Sequence, residues 1–338
     1  FSQCDYKKIA IDGNNITSTV KNIGSTATGC TASGGLIGYV GGAQTVTIQN
    51  CTINASIPYK DGGAPIEGGL IGNFKGKKLE VTGNTITAAV DGMLIISGAG
   101  GLVGRADDAY TESITVRDNP EIIVTLNLVN DSNNQKYYSG GLIGYAFGKH
   151  HVITVSGNPK IKVSITQKAS RTVYCSGGLI GLAGDTKTLT ISNNQCDVTI
   201  QHNGGEGTSQ DIGGMVGKNT AAVTDIQSNT LACTINVPNM GGASVGGVMG
   251  YLSTGTVTCA GNTLKGSGIT VKEGNTTTGT LLGEVFFDGV SGSGEPKWND
   301  IALYKVQAPL SIDKSGWTVG SSFKQPASVI GDTHAPTT

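Results

Sequence analysis

One short glycine-containing segment recurs along most of the chain. Each copy begins with a Gly-Gly pair and ends in a third glycine, with two large apolar residues between them, as in SGGLIGY at residues 33–39. A weaker copy, GTLLG, begins at Gly279. A repeat of about 35 residues indicates an array of small structural units, because a phosphate-binding loop appears only once in a domain. The Gly-Gly pairs begin at Gly34, Gly68, Gly100, Gly140, Gly177, Gly213 and Gly246.

A second marker, an asparagine that follows a β-branched segment, recurs in step with the glycines. The segment alternates apolar and polar residues, as in LEVTGNTI at residues 79–86 and ITVSGNPKI at residues 153–161. Because the alternation has a period of two and uses mostly Val, Ile and Thr, it predicts β-strands. The marker asparagines are Asn14, Asn50, Asn84, Asn119, Asn158, Asn194, Asn229 and Asn262.

The two markers predict an all-β fold, a parallel β-helix or β-solenoid of about eight repeats. A repeat this short cannot bury its own apolar face, so equivalent strands must stack on one another. The asparagine is expected at a corner, where it tolerates a left-handed backbone and can bond to its neighbours in a ladder. The glycines are expected where another backbone approaches closely or the chain bends. The inward positions that should superpose are Ile11, Val81, Val116, Val155, Ile191 and Cys259.

Composition and charge exclude several classes of function. Charged residues make up 14% of the 338 residues and the formal net charge is -1, so we expect no nucleic-acid partner. The sequence contains no apolar run long enough for a membrane-spanning helix. Near-matches to a phosphate-binding loop, such as GYAFGKH at residues 144–150, have the wrong spacing and lack the Ser or Thr that binds magnesium. We therefore expect no cofactor.

The seven cysteines suggest a disulfide hypothesis. None of them forms a CxxC pair, so no zinc site is expected. The same spacing separates Cys30 from Cys51 and Cys175 from Cys196, and each pair brackets a Gly-Gly copy. Equivalent pairs favour a repeated disulfide and an oxidising compartment. The alternative is that these thiols fill the core as small apolar side chains.

Side chains that could support catalysis are few. Asp107, Asp108 and Glu112 are candidates for polysaccharide cleavage, but adjacent residues of a strand point to opposite faces, and solvated turn residues are the simpler interpretation. His150 and His151 are interpreted as the start of a surface strand. Every repeat keeps the scaffold markers and none shows a distinct polar cluster. We therefore expect no catalytic or metal-ligating residue.

The glycine segments resemble the GLUG motif, which is named for its Gly-Leu-variable-Gly core. The motif occurs in tandem in bacterial surface proteins, including streptococcal immunoglobulin-A1 peptidases and proteins of Bacteroides-like gut organisms. The resemblance covers about residues 9–283 and implies a secreted or surface-exposed β-solenoid. In the peptidases the zinc domain carries HExxH outside the repeats, and this sequence has no HExxH. The resemblance therefore does not imply proteolysis here.

The repeats end before residue 284, which divides the chain into a repeat domain, 1–283, and a C-terminal segment, 284–338. A solenoid needs a cap, because its last coil otherwise leaves strand edges unpaired. The segment is therefore expected to be a cap or a subunit-docking element. Its candidate partner-docking residues are the aromatic Phe286, Phe287, Trp298 and Trp317.

We expect a non-catalytic, extracellular or cell-surface protein with a structural or adhesive role, such as a subunit of a self-assembling fibre or an adhesin. Its expected partners are other copies of the chain or a host or cell-surface glycan or protein. The alternative is a carbohydrate-binding or polysaccharide-cleaving β-helix. A minor alternative, an ice-binding solenoid, rests on a file of threonines that equally fits a cross-strand ladder: Thr115, Thr154, Thr190 and Thr258.

Overall fold

The alternating Val, Ile and Thr segments form strands that lie parallel to the equivalent strands of the neighbouring repeats. The computed structural model is an all-β, parallel β-solenoid of about six turns with a period of about 35 residues, which confirms the prediction of an all-β solenoid. The residues that it describes contain no helix. They are residues 3–4, 7–20, 32–42, 45–58, 66–93, 98–107, 111–130, 137–169, 175–203, 208–239, 242–253, 255–272, 278–286, 290–292, 318–319 and 328–334.

Each coil, meaning one turn of the solenoid, passes through three parallel sheets. Sheet A receives two short strands from most coils and contains β1 (Gln3–Cys4), β4 (Ala32–Gly34), β5 (Ile37–Val40), β8 (Ile66–Gly68), β9 (Ile71–Phe74), β12 (Gly98–Gly100), β13 (Val103–Ala106), β16 (Tyr138–Gly140), β17 (Ile143–Phe147), β20 (Cys175–Gly177), β21 (Ile180–Gly184), β24 (Thr208–Gly213), β25 (Val216–Asn219), β28 (Gly242–Gly246), β29 (Met249–Leu252), β32 (Thr278–Phe286) and β35 (Ser328–His334).

Sheets B and C each receive one strand from a coil. Sheet B contains β2 (Lys8–Asp12), β6 (Thr45–Gln49), β10 (Lys78–Thr82), β14 (Ser113–Arg117), β18 (Val152–Ser156), β22 (Thr188–Ser192), β26 (Val223–Gln227), β30 (Gly255–Ala260) and β33 (Val290–Gly292). Sheet C contains β3 (Asn15–Thr19), β7 (Thr52–Ile57), β11 (Thr85–Met93), β15 (Glu121–Asn130), β19 (Ile161–Ala169), β23 (Gln195–His202), β27 (Thr230–Val237), β31 (Thr263–Val271) and β34 (Thr318–Val319).

The inward residues of sheet B stack in one column, as the repeat predicts. Most of them have no exposed surface, and together with the inward residues of sheets A and C they form one continuous core. Burial of each such aliphatic side chain contributes about 1.5–3 kcal/mol relative to exposure. The column runs through Ile11, Ile48, Val81, Val116, Val155, Ile191 and Ile226, and Cys259 is paired in register with Ile226.

An asparagine ladder occupies the corner between sheets B and C. Asn158 shows the pattern: its backbone N and its Nδ2 donate to Asn194 Oδ1, at 3.2 and 2.8 Å, and its Nδ2 also donates to Val116 O, at 3.2 Å. The same bonds link Asn84, Asn119, Asn158, Asn194, Asn229 and Asn262 in order. The ladder therefore fixes the register of successive coils, and the predicted role of the asparagines is confirmed.

Two details of the predicted corner are wrong. The ladder position of the second coil belongs to Cys51 rather than Asn50, and Cys51 N donates to Asn84 Oδ1 at 2.9 Å. The left-handed residue is not the ladder asparagine but the residue before it, because the chain must turn before the amide can point inward. Asn50, with φ of 53°, is one of these residues, and the others are Gly13, Gly83, Asp118, Gly157, Asn193, Ser228 and Gly261.

The glycine segments form a sharp bend between the two sheet A strands of each coil. A Cβ on Gly72 would lie 2.6 Å from Ser33 O and 2.7 Å from Gly38 O, and one on Gly34 would overlap Ile37 O. Side chains are therefore excluded by neighbouring backbone, as predicted. Gly35 and Leu36 lie in the bend between β4 and β5, so each glycine segment contributes to two short strands.

Candidate functional site

The cysteines proposed to form disulfides are thiols wherever the structure describes them. Cys51, Cys175 and Cys196 are buried, and none of the three forms a disulfide bond. Cys175 lies in sheet A and Cys196 in sheet C. The sequence separation between them equals that between Cys30 and Cys51 because the chain repeats, and not because the cysteines are bonded. Complete burial raises the pKa of Cys196 to about 12, which keeps it a thiol. Cys30 lies outside the described residues.

The predicted docking aromatics lie at or beyond the limits of the described structure. Phe286 is the last residue of β32. Phe287, Trp298 and Trp317 lie outside the described residues, so their role stays a prediction.

The candidate acidic and histidine side chains do not converge on one site. Asp107 forms an ion pair with Arg105, whereas Glu112 lies 3.0 Å from Lys77 Nζ and 3.5 Å from Lys78 Nζ. Asp108 lies outside the described residues. His150 is exposed as expected, but His151 is fully buried, so its interpretation as a surface residue is wrong.

A buried polar cluster, which the sequence analysis did not predict, lies where the strands of sheet C end against the first strands of sheet A. Gln167 Nε2 donates to Ser139 Oγ at 2.6 Å and to Ser176 Oγ at 3.1 Å. The two serine hydroxyls bond to each other, and His202 Nε2 lies 3.2 Å from Ser176 Oγ. We call these four residues the inner-corner cluster.

The inner-corner cluster has no access to solvent. Ser139, Ser176 and His202 are 0% exposed and Gln167 is 1% exposed. Burial lowers the pKa of His202 to about 3, so its ring is neutral at physiological pH, and its Nδ1 has no hydrogen-bond partner among the described residues. A serine beside a neutral imidazole resembles an activated nucleophile. Here no substrate can reach the hydroxyl without opening the coils.

Glu67 occupies the same column of sheet A as Ser139 and Ser176. It is 2% exposed and sits against Gly92, where any side chain would overlap its carboxyl group. Burial, and to a smaller degree the charge of Asp91, raises the pKa of Glu67 to about 8. The carboxyl group is therefore mostly protonated at neutral pH.

Sequence alone could have located this corner after the repeats were aligned by register. Gln167 and His202 stand in a column with Gly92 and Leu128, where the alternation demands an apolar or small residue. The signal is therefore a polar side chain at an inward position. The predicted inward column lies in sheet B, whereas Gln167 and His202 are inward residues of sheet C, so the prediction did not include them.

A column of mostly aromatic and charged side chains follows the second sheet A strand of each coil. Its tyrosines and cations are partly exposed, whereas Asn73 and Leu182 are buried. We call it the tyrosine file, and it consists of Tyr39, Asn73, Arg105, Tyr145, Leu182, Lys218 and Tyr251. Arg105 Cζ lies 5.0 Å from the centre of the Tyr145 ring, and Lys218 Nζ lies 3.9 Å from that of Tyr251.

Further aromatic rings extend the tyrosine file around Tyr145. The Tyr138 ring lies 4.7 Å and the Phe147 ring 6.1 Å from it, between centroids. Phe147 is 41% exposed and covers Gly184 of the next strand. Aromatic surface with polar neighbours of this kind is typical of binding sites.

A groove of about 410 Å³ lies on the outer face of sheet C near the ends of its strands. Asn127 Nδ2 donates to Asp91 Oδ1 at 2.7 Å within it. Its lining consists of Asp91, Asn127, Leu128, Val129, Thr166 and Lys168.

The predicted threonine file exists but is interrupted. Thr115, Thr154 and Thr190 are adjacent in register on sheet B, and Asp225 separates them from Thr258. Glu80 is paired in register with Thr115 on the preceding strand, and its Oε1 lies 2.8 Å from Arg117 Nη2 in an ion pair. Charged side chains therefore break the flat hydroxyl array on both sides.

Within the described ranges, no three His, Cys, Asp or Glu side chains come close enough to hold a metal ion. Nor does this part of the chain contain a helix that could span a membrane. Comparison with known protein families, with curated proteins and with solved structures finds no match for the chain.

Proposed function

We propose that the protein is a non-catalytic, extracellular structural or adhesive protein. One observation carries this proposal: the described groups best suited to catalysis, the Ser176–His202 pair and the protonated Glu67, are enclosed in the coil stack at 0–2% exposure. Catalysis needs such groups within reach of a substrate. The outer faces instead carry long files in constant register, which suits a rigid scaffold that displays a surface.

We also propose about eight repeats and a C-terminal cap. The strands of residues 284–338 support this, because β33 pairs with β30, β34 with β31 and β35 with β32. They continue the three sheets with shorter strands in sheets B and C. A shortened final coil limits the unpaired edge that would otherwise recruit further strands. As part of the same proposal, Trp298 and Trp317 dock a second copy of the chain.

The proposal is tested by what the purified protein does with other copies and with surfaces. We expect negative-stain microscopy and sedimentation velocity to show fibres or defined oligomers, or else beads coated with the protein to adhere to a glycan or protein surface. Monodisperse protein that adheres to none of a broad panel of such surfaces would contradict it.

A polysaccharide-cleaving enzyme remains the second candidate, because the outer groove contains Asp91 and Asp91 acts electrostatically on Glu67. Glycoside hydrolysis uses two neighbouring carboxyl groups, one of which acts as a general acid with a raised pKa. However, Asp91 faces outward on β11, while the adjacent Gly92 and Glu67 are buried. Release of reducing ends from any polysaccharide, abolished by Asp91→Asn and not by Asp225→Asn, would replace our proposal with this one.

A further inference from the structure

The tyrosine file has a regular order. Its register reads Tyr39, Asn73, Arg105, Tyr145, Leu182, Lys218, Tyr251, so a tyrosine stands at every third strand with a cation just before the second and third tyrosines. Neighbouring strands are about 4.8 Å apart, which places successive tyrosines about 14 Å apart along the solenoid axis. All three tyrosines are partly exposed.

Each cation of the file is paired with both an aromatic ring and an acid. Arg105 contacts Tyr145 and forms an ion pair with Asp107. Lys218 contacts Tyr251 and lies 3.5 Å from Asp211 Oδ2. The pairs neutralise most of the charge while leaving polar capacity, since Arg105 Nε and Asp107 Oδ1 have no hydrogen-bond partner among the described residues.

This chemistry distinguishes between classes of ligand. A polyanion would meet cations whose charge is already balanced, and the net charge of the chain is -1. An extended peptide that pairs by its backbone needs a strand edge, whereas the file lies on a sheet face. A polyhydroxylated chain fits better, because each hydroxyl both donates and accepts and the flat faces of pyranose rings pack on aromatic rings.

We propose that the tyrosine file binds an extended, uncharged polysaccharide that lies along the solenoid axis and contacts Tyr145 and Tyr251 at the same time. The inference rests on the proposed adhesive function and names its ligand class. The sugar rings stack on the tyrosines, and their hydroxyls bond to the Arg105–Asp107 and Lys218–Asp211 pairs. Because one chain spans two tyrosines, the second contact benefits from a high effective concentration.

Affinity electrophoresis of the full chain tests the proposal. Native gels would contain xylan, galactomannan, hydroxyethyl cellulose or laminarin as uncharged probes, and polygalacturonate or hyaluronan as acidic ones. The variants are Tyr145→Ala, Tyr251→Ala and the double variant. Tyr145→Phe and Tyr251→Phe keep the rings, and Thr154→Ala on sheet B is the matched surface control. Circular dichroism melts show whether each variant is folded.

We expect at least one uncharged polysaccharide to retard the wild type and the Phe variants, and each Ala variant to bind about tenfold more weakly. Oligosaccharides too short to reach from Tyr145 to Tyr251 should bind the wild type more weakly than the polymer does. Tyr251→Ala should remove this difference in affinity between the polymer and the short oligosaccharides. Equal retardation of wild type and folded double variant would overturn the location. Retardation only by acidic polymers, or by none, would overturn the ligand class. Either result leaves the adhesive function standing if the coated beads still adhere.

Discussion

The two inner corners of each coil obey different rules. At the corner between sheets B and C, Asn84, Asn119, Asn158, Asn194 and Asn229 repeat one set of hydrogen bonds, and all are buried. At the corner between sheets C and A, the equivalent positions hold Glu67, Ala99, Ser139, Ser176 and Ile212. Stacking thus favours the same hydrogen-bonded residue, asparagine, where register is set, and Cys51 of the second coil is the exception. At the corner between sheets C and A, stacking tolerates different residues in successive coils, and some of their buried polar atoms have no hydrogen-bond partner among the described residues.

The largest effect on stability is expected from breaking the asparagine ladder at the corner between sheets B and C. Asn158→Ala removes the Oδ1 acceptor of Asn119 and the Nδ2 donor to Asn194 Oδ1 and Val116 O in the middle of the ladder. Buried groups left without partners should lower the free energy of unfolding by about 4 kcal/mol, measured by denaturant titration. Asn127→Ala on the outer face is the matched control, expected to cost under about 1 kcal/mol. Similar losses for both would show that the ladder does not set stability.

Glu67 makes the corner between sheets C and A less stable as the pH rises through neutrality. Its pKa is raised to about 8 from 4.5, so its contribution to stability is complete below pH 4.5 and is lost as the pH rises towards 8. At pH 7 the loss is about 3 kcal/mol. Glu67→Gln should therefore match the wild type near pH 4 and exceed it at pH 7. Exposed Glu80→Gln is the control, and parallel stability curves for Glu67→Gln and wild type would refute the burial effect.

His202 makes the same corner sensitive to acid. Its pKa is lowered to about 3 from 6.5, so the folded protein keeps the ring neutral and loses stability as the pH falls below 6.5. Between pH 6.5 and 4.5 the loss is about 2–3 kcal/mol. His202→Leu, which matches Leu128 in the column, should remove this slope, and exposed His150→Leu should not. An unchanged acid slope in a folded His202→Leu protein would contradict this explanation.

The smallest effect is a gain from repairing the one interruption in the ladder. At present Cys51 Sγ accepts from Asn14 N at 3.4 Å and donates to Ile11 O at 3.7 Å and to Gln49 O at 3.0 Å. Cys51→Asn should replace these weak sulfur bonds with the amide bonds of the other ladder positions. We expect about 1 kcal/mol of added stability in denaturant titrations. The same substitution at Cys196, inside the apolar core, should destabilise because it buries an amide without partners. A loss of stability in both variants would show that the second coil has adapted to cysteine.

Particular residues show how far the sequence predicts the structure. The column from Ile11 to Cys259 and the need for glycine at Gly34 were predicted, since both follow from strand alternation and backbone sterics. Asn50 was misassigned because it and Cys51 are adjacent, and only the pairing of Thr52 with Thr85 fixes which of them faces inward. The inner-corner cluster and the tyrosine file were not predicted, since their members come from different coils.

The sequence by itself determined the period, the all-β class and the positions closed to side chains. These depend on local alternation and on steric limits that recur in every repeat. The tertiary structure alone decided that Cys175 and Cys196 are separate thiols, that Ser176 meets His202, and that Tyr145 and Tyr251 share one face. Those outcomes depend on register, which varying loop lengths between strands hide from the sequence. Backbone pairing and the asparagine ladder fix it only when the coils stack.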